Sequence, residues 1–135
     1  MPVPNGVTFD WNEDSTYIKL SVLFEGAGLK PAPVSNIHGA RSLIMAGDMT
    51  TTDHISPVGA IPVDISAGQY LLDRGVEPRD FNIYGTRRTN HEVMIRGTFA
   101  NIRFRNELVP GTEGGFTRHM PSGEIMSVFD AAVKY

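Results

Sequence analysis

The amino-acid sequence predicts a small α/β domain, and three observations predict it. An apolar, strand-like run over residues 41–46 opens onto the dense polar segment Gly47-Asp48-Met49-Thr50-Thr51-Thr52-Asp53-His54-Ile55-Ser56-Pro57. Two helical patterns with recognisable ends follow, over 66–75 and from Asn90. Near the end of the chain, two β-rich runs flank Pro121-Ser122-Gly123-Glu124 and lead into a further helical pattern. With 135 residues the chain suits one core, because domains of roughly 100 to 150 residues are the commonest size.

Composition narrows the class. Hydrophobic residues make up 41% and charged residues 20%, as in ordinary globular proteins, and no apolar run approaches the roughly 20 residues that cross a bilayer. No membrane partner is expected. The first residues, Met1-Pro2-Val3-Pro4-Asn5-Gly6, lack the basic start and apolar centre of a secretory signal, which points to the cytoplasm. There is no cysteine, so disulfides, thiolate catalysis and a thiolate-held zinc or iron–sulfur centre within this chain are excluded. The net charge of −3 weighs against non-specific nucleic-acid binding. The charge is uneven, however: seven arginines between Arg74 and Arg105 meet only Glu77, Asp80 and Glu92, a local balance of +4.

Residues 1–36 carry Pro2, Pro4, Pro31 and Pro33 with Gly6, Gly26 and Gly28, and read as an extended, linker-like lead-in. Within it, 16–24 is β-rich, with Ile18, Leu20 and Val22 alternating against Lys19, Ser21 and Leu23. An edge strand or a segment docked on its neighbour is expected there, anchored by Phe9 and Trp11. From Ile37 the pattern turns globular. The strand over 41–46 should be buried, so that the polar loop reaching Pro62 emerges from its end, where functional loops commonly sit. In the helix over 66–75, Ser66 serves as N-cap, Tyr70 and Leu71 form the apolar face, and Gly75 takes the C-terminal turn, which leaves Arg74 in or just past the last turn. Pro78 stops continuation, and 81–85 forms a short strand or turn. Asn90 caps a second helix running to about Ala100, with Val93, Met94 and Phe99 apolar; Gly97 weakens it by roughly 1 kcal/mol relative to Ala. Residues 111–115 are loop. The hairpin pairs 116–120 with 125–128, and the final helix from Phe129 reads as cut short at Tyr135.

On residue types alone the 51–57 segment has two readings. In the commoner one it is a turn in which Asp53 and Ser56 satisfy backbone amides and His54 lies on the surface. In the other, a carboxylate, an imidazole and a hydroxyl form a site. The arginines divide the same way, between a solvated face and an anion site. Arg74 is the best placed, since a helix end followed by glycine can project a guanidinium into a cleft, where it binds carboxylates bidentately. His91-Glu92 lacks the second histidine a turn later that a zinc motif needs, and 111–115 lacks the Lys and Ser or Thr of a phosphate loop.

Four blocks together resemble the C-terminal swivelling domain of the aconitase family. They are Gly47-Asp48 with Thr51-Thr52-Asp53-His54-Ile55-Ser56-Pro57; Tyr84-Gly85 with Arg87-Arg88; Asn90-His91-Glu92-Val93-Met94 with Arg96-Gly97-Thr98-Phe99-Ala100-Asn101-Ile102-Arg103; and Pro121-Ser122-Gly123-Glu124 with Asp130-Ala131-Ala132. Phe9-Asp10-Trp11 and Ser15-Thr16-Tyr17-Ile18 resemble the linker before that domain. The resemblance implies a swivelling β/β/α domain over 37–135, a small mixed sheet or open barrel with short flanking helices, incomplete at its C-terminal end. It implies an aconitate hydratase, a hydro-lyase that interconverts citrate and isocitrate through cis-aconitate, with a [4Fe–4S] cluster ligated outside this chain. The chain would supply the substrate lid and be inactive alone. Its partners would be the cluster-bearing domains, in cis or in trans, and the tricarboxylate. By motif position the catalytic-loop residues are Asp53, Ser56 and His54, with Asp53 and Ser56 positioning and tuning the base, while Arg74 binds a substrate carboxylate. In a eukaryote the mitochondrial matrix is the alternative compartment.

Departures from the family pattern suggest a divergent copy that keeps these site residues. Met49 and Thr50 replace a small and a β-branched residue, Thr86 stands where serine is usual, Thr89 where glycine is usual, and 20–24 lacks the linker's prolines. The family's glycine-serine-serine-arginine segment, with its serine base, is not among these residues. The small subunit of isopropylmalate isomerase is the nearest alternative, but its loop has Asp-Gln where Asp53-His54 stands here. An RNA-binding or regulatory relic is the non-enzymatic alternative.

Overall fold

The computed structural model describes residues 6–135; the expectations that fall on Pro2 and Pro4 lie outside them. Among the described residues there are four short helices, α1 (Thr52–Ile55), α2 (Ser66–Asp73), α3 (His91–Arg96) and α4 (Val128–Lys134), and two strands, β1 (Phe116–Arg118) and β2 (Ile125–Ser127). Short 3-10 turns occupy Val22–Phe24, Pro78–Asp80 and Tyr84–Arg87. The sheet is one antiparallel pair, smaller than the mixed sheet or open barrel expected. No helix among the described residues is long and apolar enough to cross a membrane.

The core forms where α2 and α3 meet. Ile61, Ala67, Tyr70, Leu71, Phe81, Tyr84 and Val93 are buried together there, and each large side chain removed from water contributes about 1.5–3 kcal/mol. Ser66 lies inside α2 and does not cap it; Ile65 holds the cap position. The Ser66 hydroxyl instead donates to Asp130 Oδ1 at 2.7 Å, fastening α2 to α4. Gly75 ends the helix as expected, at φ +73°, a left-handed conformation that glycine adopts without the steric penalty of a Cβ. Asn90 caps α3 as expected, its Oδ1 accepting from the backbone N–H of Glu92 at 3.1 Å.

Helix α3 stops at Arg96, short of Ala100, and Gly97 explains the stop. A Cβ at 97 would lie 2.6 Å from the Tyr84 ring, so glycine is there to admit an aromatic side chain against the helix end. Burial pushes the Tyr84 phenol up to about 12, and its hydroxyl finds no hydrogen-bond partner among the described residues.

Two expected strands are absent among the described residues. Residues 16–21 are irregular and lead into the 3-10 turn, yet the segment docks, as its alternative reading had it. The Arg87 side chain is fully buried and donates to three carbonyls: Nε to Phe81 at 2.8 Å, one terminal nitrogen to Thr16 at 2.8 Å and the other to Asp80 at 2.9 Å. Its guanidinium carbon sits 3.9 Å from the centre of the Tyr17 ring. Thr89 Oγ1 and Asn90 Nδ2 donate to the carbonyls of Tyr17 and Thr16. Burial pulls the Arg87 guanidinium below its ordinary range, opposed by Tyr17. Phe9 and Trp11, expected as anchors, lie outside the buried core cluster; they stack edge to face on one another, both exposed.

The 41–46 run is also irregular, pairing through one bridge, Ala46 to Asn106. Side chains take the place of a ladder. Asn106 Oδ1 accepts from the backbone N–H of Met45, Asn106 Nδ2 donates to the Phe116 carbonyl, and Thr117 Oγ1 donates to the Leu43 carbonyl. Asn106 and Thr117 are buried, which satisfies a segment whose own side chains stay half or wholly exposed. The hairpin forms as expected, Phe116 opposite Ser127, Thr117 opposite Met126 and Arg118 opposite Ile125, and α4 follows it directly.

Candidate functional site

The polar loop is shaped by three local devices. Thr50 Oγ1 donates to the Gly47 carbonyl at 3.0 Å, closing a turn in which Met49 takes φ +69°. The Thr51 backbone N–H then donates to His54 Nδ1 at 3.0 Å, with Thr51 Oγ1 3.1 Å from the same nitrogen. An Nδ1 that accepts from an amide carries no proton of its own. His54 therefore braces the single turn of α1.

The following segment grips that turn from the other side. The Phe99 backbone N–H donates to the Ile55 carbonyl at 2.9 Å, and Asn101 Nδ2 donates to the Asp53 carbonyl at 3.2 Å. Phe99 does this at φ +62°, a left-handed conformation that is a genuine outlier for a bulky residue. Gly115 permits the approach behind it, since a Cβ there would come 3.0 Å from the Phe99 carbonyl carbon. Neither Phe99 nor Asn101 stood out as a site residue in the sequence, because a backbone grip 44 to 48 positions away leaves no local pattern.

The side chains of Asp53 and Ser56 are exposed and make no hydrogen bond among the described residues. The turn reading had them satisfying backbone amides and left His54 on the surface. The structure reverses those parts: His54 and Thr50 do the local bonding, and the carboxylate and hydroxyl remain uncommitted at the lip.

Beside the lip lies an open cleft of about 440 Å³ lined by Asp48, Thr50, His54, Arg103, Arg105 and Glu107. Of the four expected site residues only His54 lines it. A larger hollow of about 710 Å³ adjoins it between Arg105 and Glu113, walled by turns and by the Arg105–Glu113 ion pair at 2.8 Å. Both partners of that pair are exposed, so solvent screens it.

Arg74 stands apart from both depressions. Its backbone is the C-terminal cap of α2, and its guanidinium carbon lies 4.0 Å from the centre of the Tyr70 ring. Among the described residues it makes no ion pair or side-chain hydrogen bond. The other arginines of the basic stretch sort by partner. Arg79 and Arg105 pair with exposed acids, Arg87 is internal, and Arg96 binds Glu92, whose carboxyl it holds below the usual range through that hydrogen bond. Arg88 and Arg103, like Arg74, have no such side-chain partner among the described residues.

A second polar cluster belongs to the hairpin. His119 Nδ1 lies 2.8 Å from Ser122 Oγ, which donates to Glu124 at 3.2 Å, and Lys134 Nζ donates to the same carboxylate at 2.8 Å. Lys134 holds the Glu124 carboxyl below its ordinary range. These bonds, with the Met120 N–H donating to the Tyr135 hydroxyl, tie α4 to the turn.

A [4Fe–4S] cluster, which the family resemblance implies for the whole enzyme, is held by thiolates. This chain has no cysteine, and among the described residues no group of three His, Asp or Glu could hold a metal ion. The residues present do not fit that group.

Comparison with known proteins agrees with the motif reading. The family model described as the aconitase C-terminal domain matches residues 67–135. Similar relatives include aconitate hydratase A of Escherichia coli (strain K12), 62% identical over 95% of this chain and 14% of its own length. Those of Salmonella typhimurium and Bacillus subtilis are 60% and 55% identical over 98% and 94% of this chain, and 15% and 14% of theirs. The chain thus spans about one seventh of the length of the curated relatives it matches.

Proposed function

The chain belongs to the aconitase C-terminal domain family, and we propose that it is the substrate-lid part of an aconitate hydratase, the hydro-lyase that interconverts citrate and isocitrate through cis-aconitate. The observation that carries this reading is identity of 55–62% with aconitate hydratases A over 94–98% of the chain, running through the loop that leaves Asp53 and Ser56 uncommitted. Residues 1–36 act as the lead-in, and 37–135 form part of a swivelling β/β/α domain whose other strands come from the rest of the polypeptide. The rest of the enzyme, in cis or in trans, supplies the cluster and the base.

Within that reading each residue has a task. Arg74 offers a planar fork of donors to a substrate carboxylate, and a charge so placed matters most in a cleft from which water is excluded. Asp53 and Ser56 face the substrate from the lip and orient and tune the base. His54 keeps the lip in shape through its bond from Thr51. The aconitate hydratase relatives weigh for this reading over a separate isomerase small subunit, and nothing specific favours an RNA-binding role.

The test is a holoenzyme in which this chain replaces the matching stretch of the Escherichia coli aconitate hydratase A. It is expected to form cis-aconitate from citrate, and to lose most of that turnover on Asp53→Ala or Ser56→Ala. A chimera that folds and carries its cluster but does not turn over would overturn the reading.

A further inference from the structure

Resting on the substrate-carboxylate role of Arg74, we propose that Tyr70 is its positioning residue: the ring face holds the guanidinium ready for the substrate. Arg74 is the cap of α2, exposed and without an ion pair among the described residues. A long side chain at such a place would otherwise sweep many rotamers, and ordering it would oppose binding. Tyr70, one helical turn earlier, removes that freedom. Its ring is 5% exposed and set in the core beside Leu71 and Val93, so it cannot follow the arginine; the arginine must conform to it. The guanidinium carbon of Arg74 lies 4.0 Å from the ring centre, within cation–π range.

Two further observations assign the ring this task. The Tyr70 hydroxyl is buried and without a hydrogen-bond partner among the described residues, so no polar bond of its own there accounts for its place. Arg96 also lies 4.6 Å from the same ring centre, but it is committed to the carboxylate and carbonyl of Glu92. The ring therefore carries one cation already paired with a carboxylate and one without an ion pair among the described residues, and the unpaired one is open to an anionic ligand.

The test drains the ring of electrons without changing its shape. In the same chimeric holoenzyme, Tyr70 is replaced by phenylalanine and by mono-, di- and trifluorophenylalanine, and citrate kinetics are measured. Tyr70→Phe keeps the ring face and is the reference for the series. Each fluorine should then raise KM, to about three- to fivefold in all, while kcat and the melting temperature stay level, the signature of lost uniform binding. In an Arg74→Ala background the same series should be flat. A KM indifferent to fluorination in an active enzyme, or a rise that persists without Arg74, overturns the role of Tyr70 alone. A chimera with no turnover before any change at position 70 overturns the aconitate hydratase reading and the role of Tyr70 with it.

Discussion

Arg87→Met tests whether the buried guanidinium is the pin that holds the lead-in segment. In the folded chain the side chain satisfies the carbonyls of Phe81, Thr16 and Asp80 and stacks on Tyr17. Methionine fills much of the space but donates nothing. Thr16 keeps a second donor, Asn90 Nδ2 at 2.9 Å, so two carbonyls are orphaned, at roughly 1–3 kcal/mol each. The lost cation–π contact adds about 1 kcal/mol. Against this, no carboxylate among the described residues neutralises the buried cation, so its removal recovers part of a desolvation penalty. The net expectation is a loss of about 3 kcal/mol, or about 12 °C of melting temperature for a chain of this size. Thermal unfolding followed by circular dichroism reads the loss, and limited trypsin digestion locates it. Cleavage after Lys19, whose backbone N–H donates to the Thr89 carbonyl, should accelerate, while cleavage after Lys134 should not. Arg87→Lys, with one compact donor group, should lose about half as much. A melting temperature within about 2 °C of the parent, with unchanged cleavage at Lys19, would refute the pin.

The remaining predictions concern the α2–α3 core. Gly97→Ala should destabilise by about 2 kcal/mol in urea unfolding, because the methyl meets the Tyr84 ring at 2.6 Å; the gain of about 1 kcal/mol that helix propensity alone assigns would contradict the packing. Tyr84→Phe removes a buried, unpartnered hydroxyl and should be neutral or stabilising by up to about 1 kcal/mol near pH 7. Since the folded phenol ionises at about 12 against an ordinary 10.0, Tyr84 contributes stability that is whole below pH 10.0 and is lost as pH rises toward 12. The variant should flatten that alkaline limb, and an unchanged limb in a pH series of melts would count against burial as its cause. Glu92 is held below its ordinary 4.5 by Arg96, so its contribution is present above pH 4.5 and lost as pH falls through the lower folded value. Glu92→Gln should weaken the protein at pH 7 and shrink its acid sensitivity; equal acid sensitivity in both proteins would remove this pair as a cause.

How much was legible beforehand depended on the range of the interactions. The Asn90 cap, the Gly75 turn and the hairpin through Gly123 rest on bonds within a few residues, and the residue types alone announced them. The apolar face of α2 was readable for the same reason. The expectation of a strand over 41–46 failed because a ladder needs a partner backbone, and the partners here are the side chains of Asn106 and Thr117, up to 74 positions away. The edge strand over 16–24 failed likewise: the carbonyls of Thr16 and Tyr17 are satisfied by the side chains of Arg87, Thr89 and Asn90, which a period-two pattern cannot reveal.

At the site the division is sharper. The residue string alone identified the polar loop, the basic stretch and the helix end bearing Arg74, since these depend on which chemical groups are adjacent in the chain. Only the folded chain could sort those groups by commitment. It committed His54 to the Thr51 amide, Arg87 to three carbonyls and Arg96 to Glu92, and among the described residues left the side chains of Asp53, Ser56 and Arg74 without a hydrogen-bond partner. Burial and partnership are properties of the neighbours that folding brings up, and those neighbours lie tens of residues away in the sequence.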